Sequence, residues 1–252
     1  MTRDALASYL ADFLAVQTLN DYCPNGLQVA GQTDIRHIVT GVTACQALLD
    51  QAIVLEAEAV MVHHGYFWRG ESPTITGYKH RRIASLLTHD INLFAYHLPL
   101  DVHAQVGNNA QLARHLQWEV EQWHAVDGIA NLLAVGRPLT PLDSQTLTQV
   151  LAQRLQREPL CIISRSNAPI ERIAWCTGAA QRYLENAANL GVDAYLTGEV
   201  SEQTTHVARE MGIDFFAAGH HATERYGIQA LGEHLAEQFA LKHTFIDIDN
   251  PV

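Results

Sequence analysis

Residues 38–65, IVTGVTACQALLDQAIVLEAEAVMVHHG, decide how the chain is read. Residues 38–42 and 59–62 are short apolar runs of strand length, and 44–58 between them carries the longer period of a helix. Strand, helix and strand in that order form a βαβ unit, with parallel strands and the helix packed on one face. The second strand runs straight into His63 and His64, and Gly65 follows. Open α/β sheets build their sites beyond the carboxyl ends of strands, so two imidazoles at that place point to chemistry.

The alternation extends in both directions. Leu6, Leu10, Phe13 and Leu14 recur at helical spacing behind a capping Thr2, and 21–31 reads as a loop marked by Pro24 and Asn25-Gly26. Helices are expected over 80–88 and 108–116, with a strand over 92–96. From 118 to 143 apolar and polar residues mix without helical period, broken by Gly128, Gly136, Pro138 and Pro141, which places a domain boundary there. A second set follows: helices over 144–157, 180–190, 202–211 and 223–239, and strands over 160–164, 173–176, 194–197, 213–217 and 244–248. The fold class is therefore α/β, with mixed, largely parallel sheets and helices on both faces.

The second half echoes the first. Shifted by 135 positions, Ile38, Ala44 and Gln46 fall on Ile173, Ala179 and Gln181, Ala59 falls on Ala194, and His64 falls on Glu199. The strand ending at His97 matches the one leading to Gly219-His220 at a slightly smaller offset. Two related halves and two unrelated βαβ units of similar pattern both account for this. Related halves would make Glu199 a candidate member of the site by position.

Composition narrows the function. The hydrophobic share of 48% and charged share of 17% are those of a globular chain with a real core. A net charge of −11 disfavours a nucleic-acid surface, which needs clustered Lys and Arg. The one basic cluster, Lys79-His80-Arg81-Arg82, reads as a solvated helix start, with phosphate contact as the alternative. Four cysteines without a C-x-x-C pair fit a reducing compartment, and neither a signal peptide nor a membrane span is legible. A cytoplasmic protein is expected. No G-x-S-x-G elbow, P-loop or G-x-G-x-x-G is present.

Three strand ends carry the same chemistry: His63-His64, His97 with Asp101, and His220 with Glu224. Successive strand residues face opposite ways, so adjacent histidines are easier to explain with two metals than with one. His220 and Glu224 share a helix face at i, i+4, and a carboxylate there can bridge two cations. Taken singly, each part has a plainer explanation: a surface His pair, a loop-capping His97, an exposed Glu199. Their recurrence favours a metal site made of His63, His64, Asp101, His220 and Glu224. Mixed imidazole and carboxylate donors without thiolate suit Zn, Mn, Fe, Co or Ni.

The motifs Asn25-Gly26-Leu27-Gln28-Val29, His63-His64-Gly65, His97-Leu98-Pro99-Leu100-Asp101 and Gly219-His220-His221-Ala222-Thr223-Glu224 resemble those of the Ngg-interacting-factor-three-like family, the GTP cyclohydrolase I type 2 homologues. The likeness spans the chain and is closest to the short bacterial form. It implies two interlinked α/β domains, here 1–125 with 220–252 carrying most ligands, and 126–219. It implies a dinuclear centre of two divalent ions on His63, His64, Asp101, His220 and Glu224, with Glu224 as the bridge. It also implies a ring-shaped homohexamer, and a place for His97 beside the metals or in a proton relay. The function expected is a metal-dependent hydrolase acting on a small, nucleotide-like molecule. The alternative is a non-enzymatic assembly that stores, delivers or senses a cation or scaffolds a partner. Processing of single-stranded nucleic-acid ends is handicapped by the negative charge.

Overall fold

The computed structural model describes residues 1–165 and 168–252, and the chain divides into two compact units. The first comprises Met1–Val106 and Ile228–Asp249; the second comprises Gly107–Gly227 and Asn250–Val252. In chain order the first unit supplies α1 (Arg3–Phe13), β1 (Gly26–Val29), β2 (His37–Thr43), α2 (Gln46–Val54), β3 (Ala59–His64), α3 (Gly77–Thr88), β4 (Asn92–Ala95) and α4 (Leu98–Asp101). The second supplies α5 (Asn108–Leu116), β5 (Trp118–Val126), β6 (Ile129–Pro138), α6 (Ser144–Leu155), β7 (Leu160–Ile162), β8 (Ile173–Trp175), α7 (Leu184–Asn189), β9 (Ala194–Thr197), α8 (Thr204–Met211) and β10 (Asp214–Ala217). The long α9 (His220–Phe239) starts in the second unit and continues into residues of the first, which β11 (Lys242–Phe245) completes.

Each unit is built on one mixed sheet. The first has the order β1-β4-β3-β2-β11, parallel throughout except for β1 against β4. The second has the order β5-β6-β8-β9-β10-β7, parallel over β8-β9-β10 and antiparallel elsewhere. Apolar side chains cover both faces of the first sheet. Leu6, Leu10, Leu231 and Leu235 pack with Met61 and Phe94, while Leu48, Leu49, Ile83 and Leu86 pack with Val60 and Leu93. Burial on both faces is why β3 reads as an unbroken apolar run.

The echo between the halves is a shared register. Ile38 pairs with Ala59 in the first sheet, and Ile173 pairs with Ala194 in the second, each residue displaced by the same 135 positions. Each parallel trio is flanked on the same side by an antiparallel strand, β1 on β4 and β7 on β10. Thus β1-β4-β3-β2 corresponds to β7-β10-β9-β8 in order and direction.

Several expectations are corrected. The stretch 118–143, expected to hold a domain boundary, lies within the second unit: β5 and β6 form a hairpin around Asp127-Gly128, both at positive φ (52° and 77°). An Asp-Gly pair suits the primed turns that close two-residue hairpins. Polar Glu119, Glu121, Gln122 and His124 on the edge strand β5 blur its alternation. The unit boundaries fall at 106/107 and 227/228, not at 125/126 and 219/220. The reason is packing: Leu112, Leu116 and Trp118 share a core with Leu147, Leu151, Trp175 and Ala222, whereas Ile228 and Leu231 belong to the first core. His220 and Glu224, expected in the first domain, therefore lie in the second unit. The loop expected over 21–31 contains β1. Lys79 is buried rather than solvated, with Nζ 3.2 Å from Glu71 and 3.1 Å from Ser72 O, so it is committed to its own loop. All four cysteines are free thiols. Among the described residues no helix is long and apolar enough to cross a membrane.

Candidate metal centre

In the first unit β3 carries His63 and His64 to its carboxyl end. Their rings do not diverge as alternation predicts; the centroids lie 4.6 Å apart, tilted by 47°. His64 is the last strand residue and Gly65 follows, where strict alternation relaxes. Neighbouring strands hold each ring. His63 Nδ1–H donates to Tyr96 O at 2.9 Å, and His64 Nδ1 meets Thr43 Oγ1 at 3.3 Å. A carbonyl only accepts, so His63 carries its proton on Nδ1 and presents Nε2 to Asp101 Oδ1, 3.5 Å away.

Asp101 is placed by the short α4, whose Leu100 and Asp101 amides return to His97 O at 2.8 and 3.1 Å. His97 is fixed from both sides. Its amide donates to Asn25 Oδ1 at 2.7 Å, and Nδ1 lies 3.0 Å from Asp21 Oδ1. Asp21 Oδ2 also accepts from Leu98 N at 3.0 Å and Asn25 Nδ2 at 2.9 Å. Burial alone would raise the Asp21 carboxyl, but the His97 hydrogen bond and charge, with Asn25 and Leu98, outweigh it and hold the pKa at about 2. Gln28 ties β1 to the loop after His64, accepting from Tyr66 N at 2.7 Å and donating to Tyr66 O at 3.0 Å. The Asn25–Val29 motif is thus scaffolding for the histidines. Trp68 stands edge-on to His97 at 5.0 Å and 5.9 Å from His64.

Within this unit, ligand atoms of His63, His64 and His97 lie within 4.8 Å of one another, as do those of Asp21, Cys23 and His97. The first group offers three imidazoles to a cation. In the second, burial and the nearby Asp21 and Asp101 carboxylates push the Cys23 thiol well above its usual range, which disfavours thiolate ligation there.

In the second unit the first turn of α9 supplies His220 and Glu224. Their i, i+4 spacing puts Nε2 3.1 Å from Glu224 Oε2. His220 Nδ1 lies 2.6 Å from Glu199 Oε1, at the end of β9. Burial opposes a charge on His220, yet Glu224 and then Glu199 outweigh it and raise its pKa to about 9. Three glycines past the strand ends continue the backbone ladder: Gly198 N donates to Gly178 O, and Gly219 N to Gly198 O, both at 2.9 Å. They leave no room for side chains. A Cβ at Gly198 would sit 2.6 Å from His220 Cα, and one at Gly178 would overlap the Glu224 carboxylate.

The five expected ligands therefore fall into a group of three, His63, His64 and Asp101, and a group of two, His220 and Glu224, each ordered within its own unit. Glu199 is hydrogen-bonded to a member of the second group, and His97 adjoins the first. His221 follows His220 in α9 and is turned about 100° around the helix from it. Asp21 and Gly178 carry no sequence signal of their own. All four imidazoles are held at Nδ1, which directs Nε2 outward, the arrangement metal-ligating histidines adopt. With carboxylates beside them, this donor set fits borderline divalent cations.

A model of the Duf34/NIF3 family (NGG1p interacting factor 3) matches residues 1–251. The chain belongs to this family. It is 54% identical over 246 residues to a Yersinia pestis protein named GTP cyclohydrolase 1 type 2 homolog, covering 98% of each chain. A Pseudomonas aeruginosa protein of the same name is 54% identical over 95% of this chain and 94% of its own. Among solved structures, the structural-genomics protein ybgI, titled as of unknown function, superposes over 100% of both chains with a TM-score of 0.96 and 49% identity. A Thermus thermophilus structure covers both chains fully at a TM-score of 0.88 and 33% identity. These relatives share the whole fold, so the α/β architecture described here is that of the Duf34/NIF3 family.

Proposed function

We propose that this family member holds two divalent cations on His63, His64, Asp101, His220 and Glu224 and uses them to hydrolyse a small nucleotide-like molecule. The observation that carries the proposal is the orientation of His63 and His220, each tied at Nδ1 with Nε2 turned toward a carboxylate, together with the clustering of His63, His64 and His97. The name borne by the bacterial relatives, GTP cyclohydrolase 1 type 2 homolog, points to a nucleotide-like substrate. Bound divalent ions supply Lewis acidity for activating water and polarising a ring carbon or phosphoryl oxygen. The chain's own residues do the rest. His63 and His220, with their proton at Nδ1, would bind a cation through Nε2, Glu224 would supply carboxylate charge to the bound ions, and His97, held by Asp21, would move a proton at Nε2 toward the leaving group. The family resemblance further supports a cytoplasmic homohexamer as the working form.

Elemental analysis of natively purified protein, followed by a nucleotide and phosphoester screen with that metal restored, tests this. Two ions per chain with metal-dependent turnover are expected. Tight metal without turnover would favour a carrier or sensor, and absence of metal after loading would overturn the proposal.

A pH dependence follows from His220. In the metal-free protein it holds a second proton up to about pH 9. A cation must displace that proton from Nε2, so affinity should fall about tenfold for each unit of pH from about 9 down to neutrality. Titration calorimetry in buffers of different ionisation enthalpy should count close to one proton released at about pH 7.5. Affinity that stays flat from neutral pH up to about 9 would contradict this.

A further inference from the structure

Glu199 occupies the place in the second repeat that His64 occupies in the first, but it is an acid and its carboxylate meets an imidazole. It lies just past the end of β9, the strand that holds the place of β3 in the second sheet. Its Oε1 takes the Nδ1 side of His220 at 2.6 Å, while Nε2 of the same ring faces Glu224 at 3.1 Å. The first repeat also backs a histidine with an acid. There the histidine after the third parallel strand, His97, is held at Nδ1 by Asp21 at 3.0 Å, and an acid, Asp101, follows four residues later. His97-x3-Asp101 and His220-x3-Glu224 thus match in spacing and in the carboxylate behind the ring, although Glu224 stands beside His220 itself while Asp101 stands beside His63. The two backing acids come from unrelated places, Asp21 ahead of β1 and Glu199 after β9, so the motif was met twice by different residues.

We infer that Glu199 is a positioning residue: it fixes the Nδ1–H tautomer and the ring direction of His220, so that Nε2 is presented as a ligand. This role for Glu199 rests on the proposed metal-binding function, in which His220 is a ligand. A carboxylate behind a ligating histidine raises the basicity of the ligating nitrogen and holds the ring against rotation. The glycine ladder of Gly178, Gly198 and Gly219 brings the end of β9 against the first turn of α9, which sets the reach between the two side chains. The Glu199 side chain is 31% exposed, and melting of the metal-free Glu199→Ala protein checks that the fold is kept.

The test is Co2+ titration of the metal-freed full chain, read by calorimetry and by the visible spectrum of the bound ion. Glu199→Ala should weaken Co2+ binding by roughly 10- to 100-fold and alter the spectrum. Glu199→Gln, which keeps an acceptor for Nδ1–H without its charge, should fall between the two. In a His220→Ala background, Glu199→Ala should add nothing further, because the side chain acts through that ring. Equal affinity in wild type and Glu199→Ala, or a full additive loss in the His220→Ala background, would overturn the assignment while leaving the metal centre standing. A wild-type protein that binds no Co2+, Zn2+ or Mn2+ would remove the metal centre and the role of Glu199 together.

Discussion

Replacing either Asp101 or Glu224 with alanine should abolish metal-dependent turnover and strip at least one ion, while the chain stays folded. Both carboxylates are buried, and each stands beside the Nε2 of a histidine, 3.5 Å for Asp101 and 3.1 Å for Glu224. Changes to groups that merely orient a ligand cost roughly 10- to 100-fold in affinity, so losing a ligand should exceed the upper end of that range. In the metal-free state the effect on folding should be modest. Each acid's removal also ends its need for a buried countercharge, and the energy at stake is on the order of 1–3 kcal/mol. Metal content by elemental analysis and melting of the apo forms separate the two effects. A variant that keeps both ions, or one whose apo form fails to fold, would count against these carboxylates as ligands. Glu224→Gln should lose nearly as much affinity as Glu224→Ala, since a neutral amide brings no charge to a bound cation.

Gly178→Ala should disable the second group of ligands without touching a ligand. Gly178 sits at φ +70°, where an alanine costs roughly 1–2 kcal/mol in backbone strain. Its new Cβ would also overlap the Glu224 carboxylate and come 3.2 Å from His220 Nε2. The two costs can be separated, because Gly191 has nearly the same φ, +69°, with nothing within 4 Å of its added Cβ. Gly191→Ala should therefore lower the melting temperature by a few degrees and leave metal binding unchanged. Gly178→Ala should destabilise more and weaken Co2+ binding by more than about 100-fold. Equal metal affinity in the two variants would show that Glu224 and His220 do not need the position they hold against Gly178.

What can be read from the chain, and what cannot, divides along the range of the contacts involved. β2 and β3 are legible because strands buried on both faces write themselves as apolar runs, and the register between them reappears in β8 and β9. The His220–Glu224 pair is legible because four residues on a helix fix a distance. Asp21 is not, since it meets His97 across 76 positions and nothing in its surroundings marks the encounter. Gly178 escapes notice because neither its positive φ nor the neighbour it must avoid is local. The boundary inside α9 cannot be seen either: the helix is continuous, so the chain carries no punctuation where one packing environment gives way to the next. Alternation misleads in one place. It separates His63 from His64, yet Tyr96 O and Thr43 Oγ1 draw the rings to within 4.6 Å. That proximity weakens the spacing argument for one ion per histidine, and the count of two ions rests on the family resemblance instead.

The indole of Trp68 gives the first group of histidines an intrinsic optical reporter. Its ring is edge-on to His97 and anchored by an Nε1–H bond to Gly65 O at 3.2 Å, so it cannot swing away from the imidazoles it watches. The other three tryptophans belong to the second unit: Trp118 and Trp175 are packed against each other at 5.3 Å in its core, and Trp123 is partly buried against that core. A paramagnetic ion held by these histidines should therefore quench Trp68, and a Trp68→Phe variant isolates that share of the emission with no label attached to the chain.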